Sequence, residues 1–179
     1  LLAHLETAAA GFERAPTLEA LCDRAAIEFR RLTGFDRVMI YRFLDDGAGA
    51  VLAEDRADDL PSFLHHHFPG SDIPAQARAL YVRNLVRAIP DVGYAPAPLE
   101  PAWTDGALDM SDCALRSVSP VHMQYLRNMG VGASASVSIV RDGVLWGLIA
   151  CHHRAPRLLP YEIRAACRAL GSERLVGLD

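Results

Sequence analysis

Residues 133–153 read ASASVSIVRDGVLWGLIACHH, and this stretch decides the fold class. Over residues 133–140 the side chains alternate, with three serines on one face and apolar residues on the other. Such alternation is typical of a β-strand that is buried on one side. An Asp-Gly dipeptide at 142–143 then matches the two-residue turns that close β-hairpins. The stretch therefore predicts an antiparallel hairpin whose second strand covers residues 144–152.

A second hairpin is predicted in the first half of the chain. Residues 37–43 are rich in β-branched and aromatic side chains, and after an Asp-Asp-Gly turn the partner strand covers residues 50–55. A short strand is predicted over residues 85–89. Elsewhere apolar residues recur at helical spacing between capping residues, which predicts helices. The predicted helices cover residues 1–15, 17–34, 74–84, 119–129 and 160–179.

The order of these elements predicts the architecture. Strands that follow one another through hairpins favour an α+β fold with one central antiparallel β-sheet flanked by helices. The terminal helices, within residues 1–34 and 160–179, would cover one face of this sheet. The middle helices and the irregular segment 94–108 would cover the other face. We expect a ligand on that second face, because a long loop inside a compact domain is usually functional.

Composition and charge exclude several classes of function. The 179 residues are 51% hydrophobic and carry a net charge of −4, which argues against a general nucleic-acid-binding protein. All 18 basic residues are arginines, so the chain has neither a Schiff-base lysine nor a Walker-A lysine. The longest apolar run, residues 144–151, is much shorter than the roughly 20 residues that cross a bilayer. We therefore expect a cytoplasmic domain with no membrane or nucleic-acid partner.

The cysteines and histidines predict no metal site. Histidines occur in contiguous runs, and Cys22, Cys113, Cys151 and Cys167 contain no CxxC pair. Reduced, mostly buried thiols in an intracellular protein are the favoured interpretation. Since no nucleophile and base stand at a convincing spacing, this segment is predicted not to be an enzyme. The chain begins with Leu1 rather than Met, so we expect a segment of a longer protein.

Polar residues in the second half of the chain predict a small-molecule pocket. Arg116 precedes a helix on which His122, Tyr125 and Met129 share one stripe, and His152 lies at the end of the second hairpin. These side chains could face one cavity that has an apolar body and a few polar groups, as ligand sites usually do.

Two alternatives remain open at this stage. The serine face formed by Ser134, Ser136 and Ser138 could be the solvated face of a strand. Asp72 stands just before a predicted helix, where the helix dipole and the free amide groups favour a carboxylate as a cap.

Four segments carry a resemblance to a known family. They are DRVMIYRF at residues 36–43, FPGSDIPAQAR at 68–78, LRSVSPVHMQYLRNMGV at 115–131 and LWGLIACHH at 145–153. In this order they resemble the signature segments of the chromophore-binding GAF domain of bacterial phytochromes. The resemblance covers essentially the whole chain and implies a single GAF domain over residues 1–179. Its chromophore pocket would lie within residues 35–153, on the sheet face covered by the middle helices and loops.

The resemblance implies a linear tetrapyrrole ligand, biliverdin, and a role for each matching residue. Arg87 and Arg116 match the arginines that bind the two propionates, a role that suits a charged fork of donors. Asp72 matches the aspartate whose main-chain carbonyl accepts hydrogen bonds from pyrrole N–H groups. His122 matches the histidine beside the inner pyrroles, and His152 matches the one that faces the carbonyl of the D ring.

The remaining implied residues fall into three groups. Hydroxyl groups would add hydrogen bonds to the propionates, aromatic side chains would surround the D ring, and further residues would line the same cavity. The hydroxyl residues are Tyr81, Ser119, Ser134 and Ser136. The aromatic residues are Tyr41, Phe68 and Tyr125. The other lining residues are Met39, Ile73 and Pro74.

The resemblance also implies how the domain would work and with what partners. Light would drive Z/E isomerisation at the D-ring methine bridge, giving a red/far-red switch that signals to a downstream histidine kinase. A PAS domain would precede this segment and a PHY domain would follow it. The terminal helices would support a parallel homodimer. The alternative is a non-photosensory GAF domain that binds a cyclic nucleotide or only mediates dimerisation.

One position departs from the plant and cyanobacterial branch of the family. Those proteins carry the bilin-attaching cysteine immediately before the histidine that matches His122, whereas this chain has Val121. The bacterial branch attaches biliverdin through a cysteine upstream of the region that this chain covers. Cys113 does not match either position. We therefore expect biliverdin to bind this segment without a covalent bond.

Overall fold

The computed structural model describes residues 1–114 and 116–174, although not the side chains of 172–174. Within these residues a six-stranded antiparallel sheet has the order β3-β2-β1-β6-β5-β4. The strands are β1 Arg37–Phe43, β2 Gly49–Arg56, β3 His67–Phe68, β4 Val86–Ile89, β5 Ala133–Arg141 and β6 Val144–His153. The helices are α1 Leu2–Glu13, α2 Leu18–Thr33, α3 Ala75–Arg83, α4 Pro120–Asn128 and α5 Tyr161–Arg174.

The predicted α+β architecture is confirmed, including both hairpins and the short strand. The β1–β2 and β5–β6 pairs are antiparallel, and β6 also pairs with β1, so that the two hairpins join into one sheet. Strand β3 was not predicted, because two residues are too few to show alternation. Residues 175–179, which we assigned to the last helix, lie outside the described residues, as does Leu115 in the third family segment.

The terminal helices α1, α2 and α5 cover one face of the sheet, as predicted. Their apolar side chains pack on the residues of β5 that alternate with the serines, and Phe29, Ile149 and Cys167 are fully buried there. Burial of this apolar area is the main favourable contribution to folding. The interior of the domain therefore lies on this side of the sheet, which leaves the opposite face for the candidate site.

Local signals explain the bounds of α2. The Thr17 hydroxyl oxygen accepts a hydrogen bond from the backbone N–H of Ala20 at 3.1 Å, and this satisfies one of the free donors at the start of the helix. The helix ends at Gly34, whose φ of 66° is the left-handed conformation that glycine adopts without a steric penalty. Helix α2 then leads directly into β1.

Helices α3 and α4 lie over the opposite face of the sheet. Between β4 and α4 the chain runs from residue 90 to 119 without regular helix or strand in its described part. Within the described residues, no helix is long and apolar enough to cross a membrane. This second face carries two smaller apolar clusters, one around Tyr41 and Leu148 and the other around Met123 and Leu126.

Candidate functional site

A cavity of about 890 Å³, counting its open mouth, lies between the second face of the sheet and helices α3 and α4. Its walls are mainly apolar with a few polar groups, which is the usual composition of a site for a small molecule or cofactor. Strands β1, β3, β4, β5 and β6 all contribute to its walls. We call it the main cavity.

The structure brings most of the predicted site residues together in this cavity. Twelve of the fifteen line it: Met39, Tyr41, Phe68, Asp72, Ile73, Tyr81, Arg87, His122, Tyr125, Ser134, Ser136 and His152. Met129 lines it as well, so the predicted stripe of α4 does face the ligand site. Residues far apart in the chain therefore line one cavity, as their assignment to one pocket requires.

Three predicted residues do not line the main cavity. Pro74 and Ser119 are exposed at the starts of α3 and α4, and the Ser119 side chain makes no capping hydrogen bond. Arg116 lies in the segment before α4, where Nη1 donates to the carbonyl oxygens of Ser111 at 2.9 Å and Cys113 at 3.4 Å. Any contact of these residues with a ligand stays a prediction.

Some lining residues were missed by the sequence analysis. Leu148 and Ala150 precede His152 at alternate positions of β6, so the period of two residues could have identified them. Leu126 lies one helical turn after His122 and could also have been found. Two others, Ile89 and Val118, carry no local signal. The remaining missed residue is Ala135.

One end of the main cavity is cationic. Arg87 on β4 lies opposite Ser136 on β5, and within the described residues no carboxylate forms an ion pair with its guanidinium. Burial, and then the positive charge of Arg116, lower the pKa of Arg87 from its ordinary value. A guanidinium remains charged at neutral pH. An unpaired, partly buried cation of this kind is suited to an anionic group of a ligand.

Hydroxyl groups surround this cationic end. Burial raises the pKa of Tyr81, whose hydroxyl is hydrogen-bonded to Ser136. Ser134 and Ser136 are half-buried and face the cavity, whereas Ser138 is fully buried and donates to the carbonyl oxygen of Tyr81 at 2.7 Å. A solvated serine face is therefore the wrong interpretation. The hydroxyl groups of Tyr81, Ser134 and Ser136, which line the cavity, can donate hydrogen bonds to the same anionic group that Arg87 would bind.

An aromatic wall forms another part of the cavity. The ring centroid of Tyr41 lies 6.1 Å from that of Phe68, and burial raises the pKa of the Tyr41 hydroxyl. The Tyr41 ring lies against the backbone of Gly49 on the neighbouring strand, in the space that a Cβ at this position would occupy. Glycine at this position therefore allows the ring to adopt its place in the wall.

Asp72 lies beside this wall in the short helical turn Gly70–Asp72. The hydroxyl of Tyr125 donates to Asp72 Oδ2 at 3.4 Å, and burial together with Asp72 raises the pKa of Tyr125 to about 12. Because α3 begins at Ala75 with no side-chain cap, helix capping is the wrong interpretation of Asp72.

Arg78 holds the backbone on both sides of Asp72. Its Nε donates to the carbonyl oxygen of Ile73 at 2.8 Å, and Nη2 donates to those of Gly70 at 3.3 Å and Gly47 at 2.5 Å. The turn is thereby fixed to the β1–β2 turn, and the main-chain carbonyls near Asp72 have a defined orientation.

Two neutral histidines complete the site. The ring of His122 stacks on that of Tyr125, with centroids 6.3 Å apart, and burial lowers the pKa of His122. Burial, then the charges of Arg37 and His122, lower the pKa of His152 to about 4. At neutral pH the ring of His152 therefore offers one N–H donor and one nitrogen acceptor.

The cysteines behave largely as predicted. Cys22, Cys151 and Cys167 are buried, whereas Cys113 is exposed. Burial raises the pKa of Cys22 to about 11 and that of Cys167 to about 12, and it also raises the pKa of Cys151. At neutral pH these three thiols are therefore protonated, and the thiolate is the nucleophilic form.

Residues 17–172 match the GAF domain family. The chain belongs to the GAF domain family. This GAF domain is 51% identical over 147 residues to the phytochrome-like protein Cph1 of Synechocystis, a match that covers 80% of this chain and 20% of that protein. It is 53% identical over 148 residues to a bacteriophytochrome of Pseudomonas aeruginosa, covering 81% of this chain and 20% of that protein. The GAF domain thus spans about a fifth of the length of these curated relatives.

Solved structures of similar proteins have the same fold. The chromophore-binding domain of the bacteriophytochrome RpBphP3 from R. palustris superposes with a TM-score of 0.92 at 49% identity, over 95% of this chain and 58% of that one. The chromophore-binding domain of Stigmatella aurantiaca phytochrome P1 gives a TM-score of 0.89 at 45% identity, over 95% and 57% of the two chains. The family and fold indicated by the four sequence segments are confirmed.

Proposed function

We propose that this GAF domain binds the linear tetrapyrrole biliverdin in its main cavity and serves as the photosensory module of a phytochrome. The proposal rests on the guanidinium of Arg87, which forms no ion pair with the described residues and faces a large, mainly apolar cavity beside three hydroxyl groups. An extended apolar ligand with acidic side groups fits such a cavity. The similarity to phytochromes supports the same ligand class.

The residues of the chain would hold and orient this ligand. Arg87 binds one propionate directly, with hydroxyl groups as further donors, and Arg116 reaches a second propionate from the segment before α4. The main-chain carbonyl at Asp72 accepts hydrogen bonds from pyrrole N–H groups. His122 packs beside the inner pyrroles, and His152 donates to the D-ring carbonyl. The hydroxyl donors are Tyr81, Ser119, Ser134 and Ser136.

The aromatic wall would confine the ring that moves. Tyr41, Phe68 and Tyr125 surround the D ring, while Met39, Ile73 and Pro74 complete its surroundings. When bound, biliverdin would supply the absorption of red light and the Z/E isomerisation at the D-ring methine bridge. The protein contributes a defined orientation, a neutral histidine and a confined volume.

We propose that the domain is one part of a longer cytoplasmic sensor. A PAS domain would precede it, and a PHY domain and a histidine kinase would follow. A parallel homodimer would form through α1 and α5, since Leu2 is 76% exposed and Tyr161 is 73% exposed on these helices. In this arrangement the GAF domain acts as a sensor and its catalytic output lies in the kinase.

The proposal is tested by mixing the purified domain with biliverdin and recording absorption spectra before and after red illumination. We expect a red absorption band that changes on illumination. The propionates of the pigment would be fixed by Arg87 and its neighbouring hydroxyl groups, while the D ring inside the aromatic wall could still rotate. The control is Arg83→Ala, which removes an exposed arginine that pairs with Asp112 outside the cavity. Saturable binding of a cyclic nucleotide without a biliverdin band would instead support the alternative function.

Replacing Asp72 by Ala is expected to leave biliverdin bound but to impair photoconversion and raise fluorescence. The contacts between the arginines and the propionates are unaffected. The conformation of the turn beside the pyrroles changes, however, and the Tyr125 hydroxyl loses its hydrogen-bond acceptor. Difference spectra after red illumination and the fluorescence yield measure the effect. The control is Asp45→Ala, which removes an exposed carboxylate in the β1–β2 turn. Normal photoconversion of Asp72→Ala would contradict the role of Asp72.

Biliverdin is expected to bind this domain without a covalent bond. A thioether requires a reactive thiolate, and three of the four thiols are buried with raised pKa values. On a denaturing gel stained for zinc-enhanced bilin fluorescence, the protein band should therefore be dark. A fluorescent band that disappears in Cys113→Ser would show instead that the exposed thiol attaches the pigment.

A further inference from the structure

Arg116 acts on the cationic end of the main cavity although it does not line it. After burial, the charge of Arg116 is the next cause of the lowered pKa of Arg87, so the two guanidinium groups are close enough to interact. Within the described residues, the hydrogen bonds of Arg116 all come from Nη1, which leaves Nε and Nη2 for a ligand. Because like charges repel, such a pair of cations is suited to a ligand that carries two anionic groups.

The carbonyl oxygen of Ser111 holds the guanidinium of Arg116. Arg116 Nη1 donates to this oxygen at 2.9 Å, and Asn84 Nδ2 donates to the same oxygen, also at 2.9 Å. A carbonyl oxygen has two lone pairs, so it can accept both hydrogen bonds. The backbone N–H of Ser111 is fixed as well, because it donates to Asp109 Oδ1 at 2.9 Å. Asn84 and Arg116 therefore meet on one acceptor in a well-fixed turn.

Asn84 is the residue that ends α3, and it stands three residues before Arg87. Its backbone N–H donates to the carbonyl oxygen of Leu80 at 2.8 Å, and Nδ2 donates to the same oxygen at 3.3 Å. The amide group has two N–H donors, so one can bind the helix while the other binds Ser111. The half-buried Asn84 side chain thereby ties the Ser111 carbonyl to the stretch of chain that carries Arg87.

We propose that Asn84 is a positioning residue, which sets the spacing between Arg116 and Arg87 and so favours a ligand with two acidic groups. The inference rests on the proposed function, in which these arginines bind the two propionates of biliverdin. Without the Asn84 amide, the Ser111 carbonyl loses one of its two donors, and Arg116 loses a fixed acceptor. The guanidinium must then be ordered when the ligand binds, and this ordering lowers the affinity.

Two neighbouring residues of α3 provide a variant and its matched control. Asn84→Leu removes both N–H donors of the amide and keeps a side chain of similar size. Arg83→Ala removes the adjacent contact to the same turn, in which Arg83 Nη2 lies 2.7 Å from Asp112 Oδ2. These two side chains are 49% and 78% exposed, and an ion pair so exposed contributes little. The control therefore leaves the Ser111 carbonyl and its two donors in place.

The test measures biliverdin affinity in a double-mutant cycle with Arg116→Ala. Asn84→Leu alone should weaken binding about two- to tenfold, the usual effect of one hydrogen bond, whereas Arg83→Ala should not. In the Arg116→Ala background, Asn84→Leu should have no further effect, because the group that it positions is gone. Asn84→Leu should also leave the affinity for the dimethyl ester of biliverdin unchanged, since both propionates of the ester are uncharged. Circular dichroism checks folding, and Asn84→Ala serves if Asn84→Leu does not fold.

Equal affinities of Asn84→Leu and the parent protein would overturn the positioning role. The same loss in the Arg116→Ala background, or with the ester, would overturn it too, because Asn84 would then act through α3 alone. If the parent protein binds no biliverdin, the proposed function fails, and hydrogen exchange without ligand tests the positioning. The reporter is the backbone N–H of Cys113, which donates to the Met110 carbonyl oxygen in the same turn. Faster exchange in Asn84→Leu than in Arg83→Ala would support the positioning of this turn, and equal exchange would reject it.

Discussion

Replacing Arg37 by Met is expected to lower the free energy of unfolding by about 3–5 kcal/mol, the usual cost of removing one partner of a buried ion pair. Arg37 Nη1 donates to Glu54 Oε1 at 2.9 Å, and the two side chains are only 5% and 2% exposed. The substitution removes the closest cationic partner of the buried Glu54 carboxylate and leaves the more distant Arg56, whose Nε lies 3.7 Å from Oε2. Arg37 also donates to the carbonyl oxygen of Pro61 and stacks 4.1 Å above the Phe63 ring.

Urea denaturation followed by circular dichroism measures this effect. The control is Arg83→Met, which removes an arginine whose ion pair is solvent-exposed and should change stability little. The double variant with Arg37→Met and Glu54→Leu should recover part of the loss, because an apolar pair replaces a buried charge that has lost its closest partner. Recovery stays partial, since Glu54 also accepts hydrogen bonds from Ser62 and the backbone N–H of Phe63. A loss equal to that of Arg83→Met would show that the buried pair contributes little.

Replacing Arg87 by Ala is expected to weaken biliverdin binding by about ten- to a hundredfold. This corresponds to the roughly 1.5–3 kcal/mol of a hydrogen bond to a charged group. The effect should exceed that of Arg116→Ala, because Arg87 lines the main cavity whereas Arg116 already donates to two backbone carbonyls. Arg87→Lys should recover part of the affinity, since an ammonium cannot form the paired hydrogen bonds of a guanidinium.

Titration of the domain with biliverdin, followed by absorbance or by quenching of protein fluorescence, gives the dissociation constants. Arg83→Ala controls for the change in net charge, because its side chain lies outside the cavity. Equal affinities of Arg87→Ala and Arg83→Ala for biliverdin would show that Arg87 makes no specific contact with the ligand. A weaker affinity in both variants would indicate attraction by overall charge rather than a specific contact.

Local patterns in the chain predicted most of the elements that build the site. The serine alternation in β5 and the Asp-Gly turn after it are visible within twenty residues, because strand period and turn conformation depend on near neighbours. The stripe of His122, Tyr125 and Met129 likewise follows from helical geometry alone, and all three line the main cavity. The four family segments predicted which other residues share the pocket with them, and the comparisons confirm the family.

Contacts between distant segments could not be predicted in this way. The Arg37–Glu54 pair, the alignment of Arg87 with Ser136 and the hydrogen bond from Tyr125 to Asp72 each depend on how strands and helices pack. Asp72 illustrates the difference. Its position before a helix suggested a helix cap, whereas in the fold its carboxylate accepts a hydrogen bond from Tyr125.

The amino-acid sequence by itself determined five of the six described strands, the helices, the sheet type and the family, since these depend on local conformation and on motifs that are contiguous in the chain. Only the tertiary structure decided which side chains reach the main cavity, and it left Pro74, Arg116 and Ser119 outside its walls. It also brought Asn84 and Arg116 together on the carbonyl oxygen of Ser111. The physical reason is that a cavity is the space left between packed elements, so its walls depend on distances that no single segment determines.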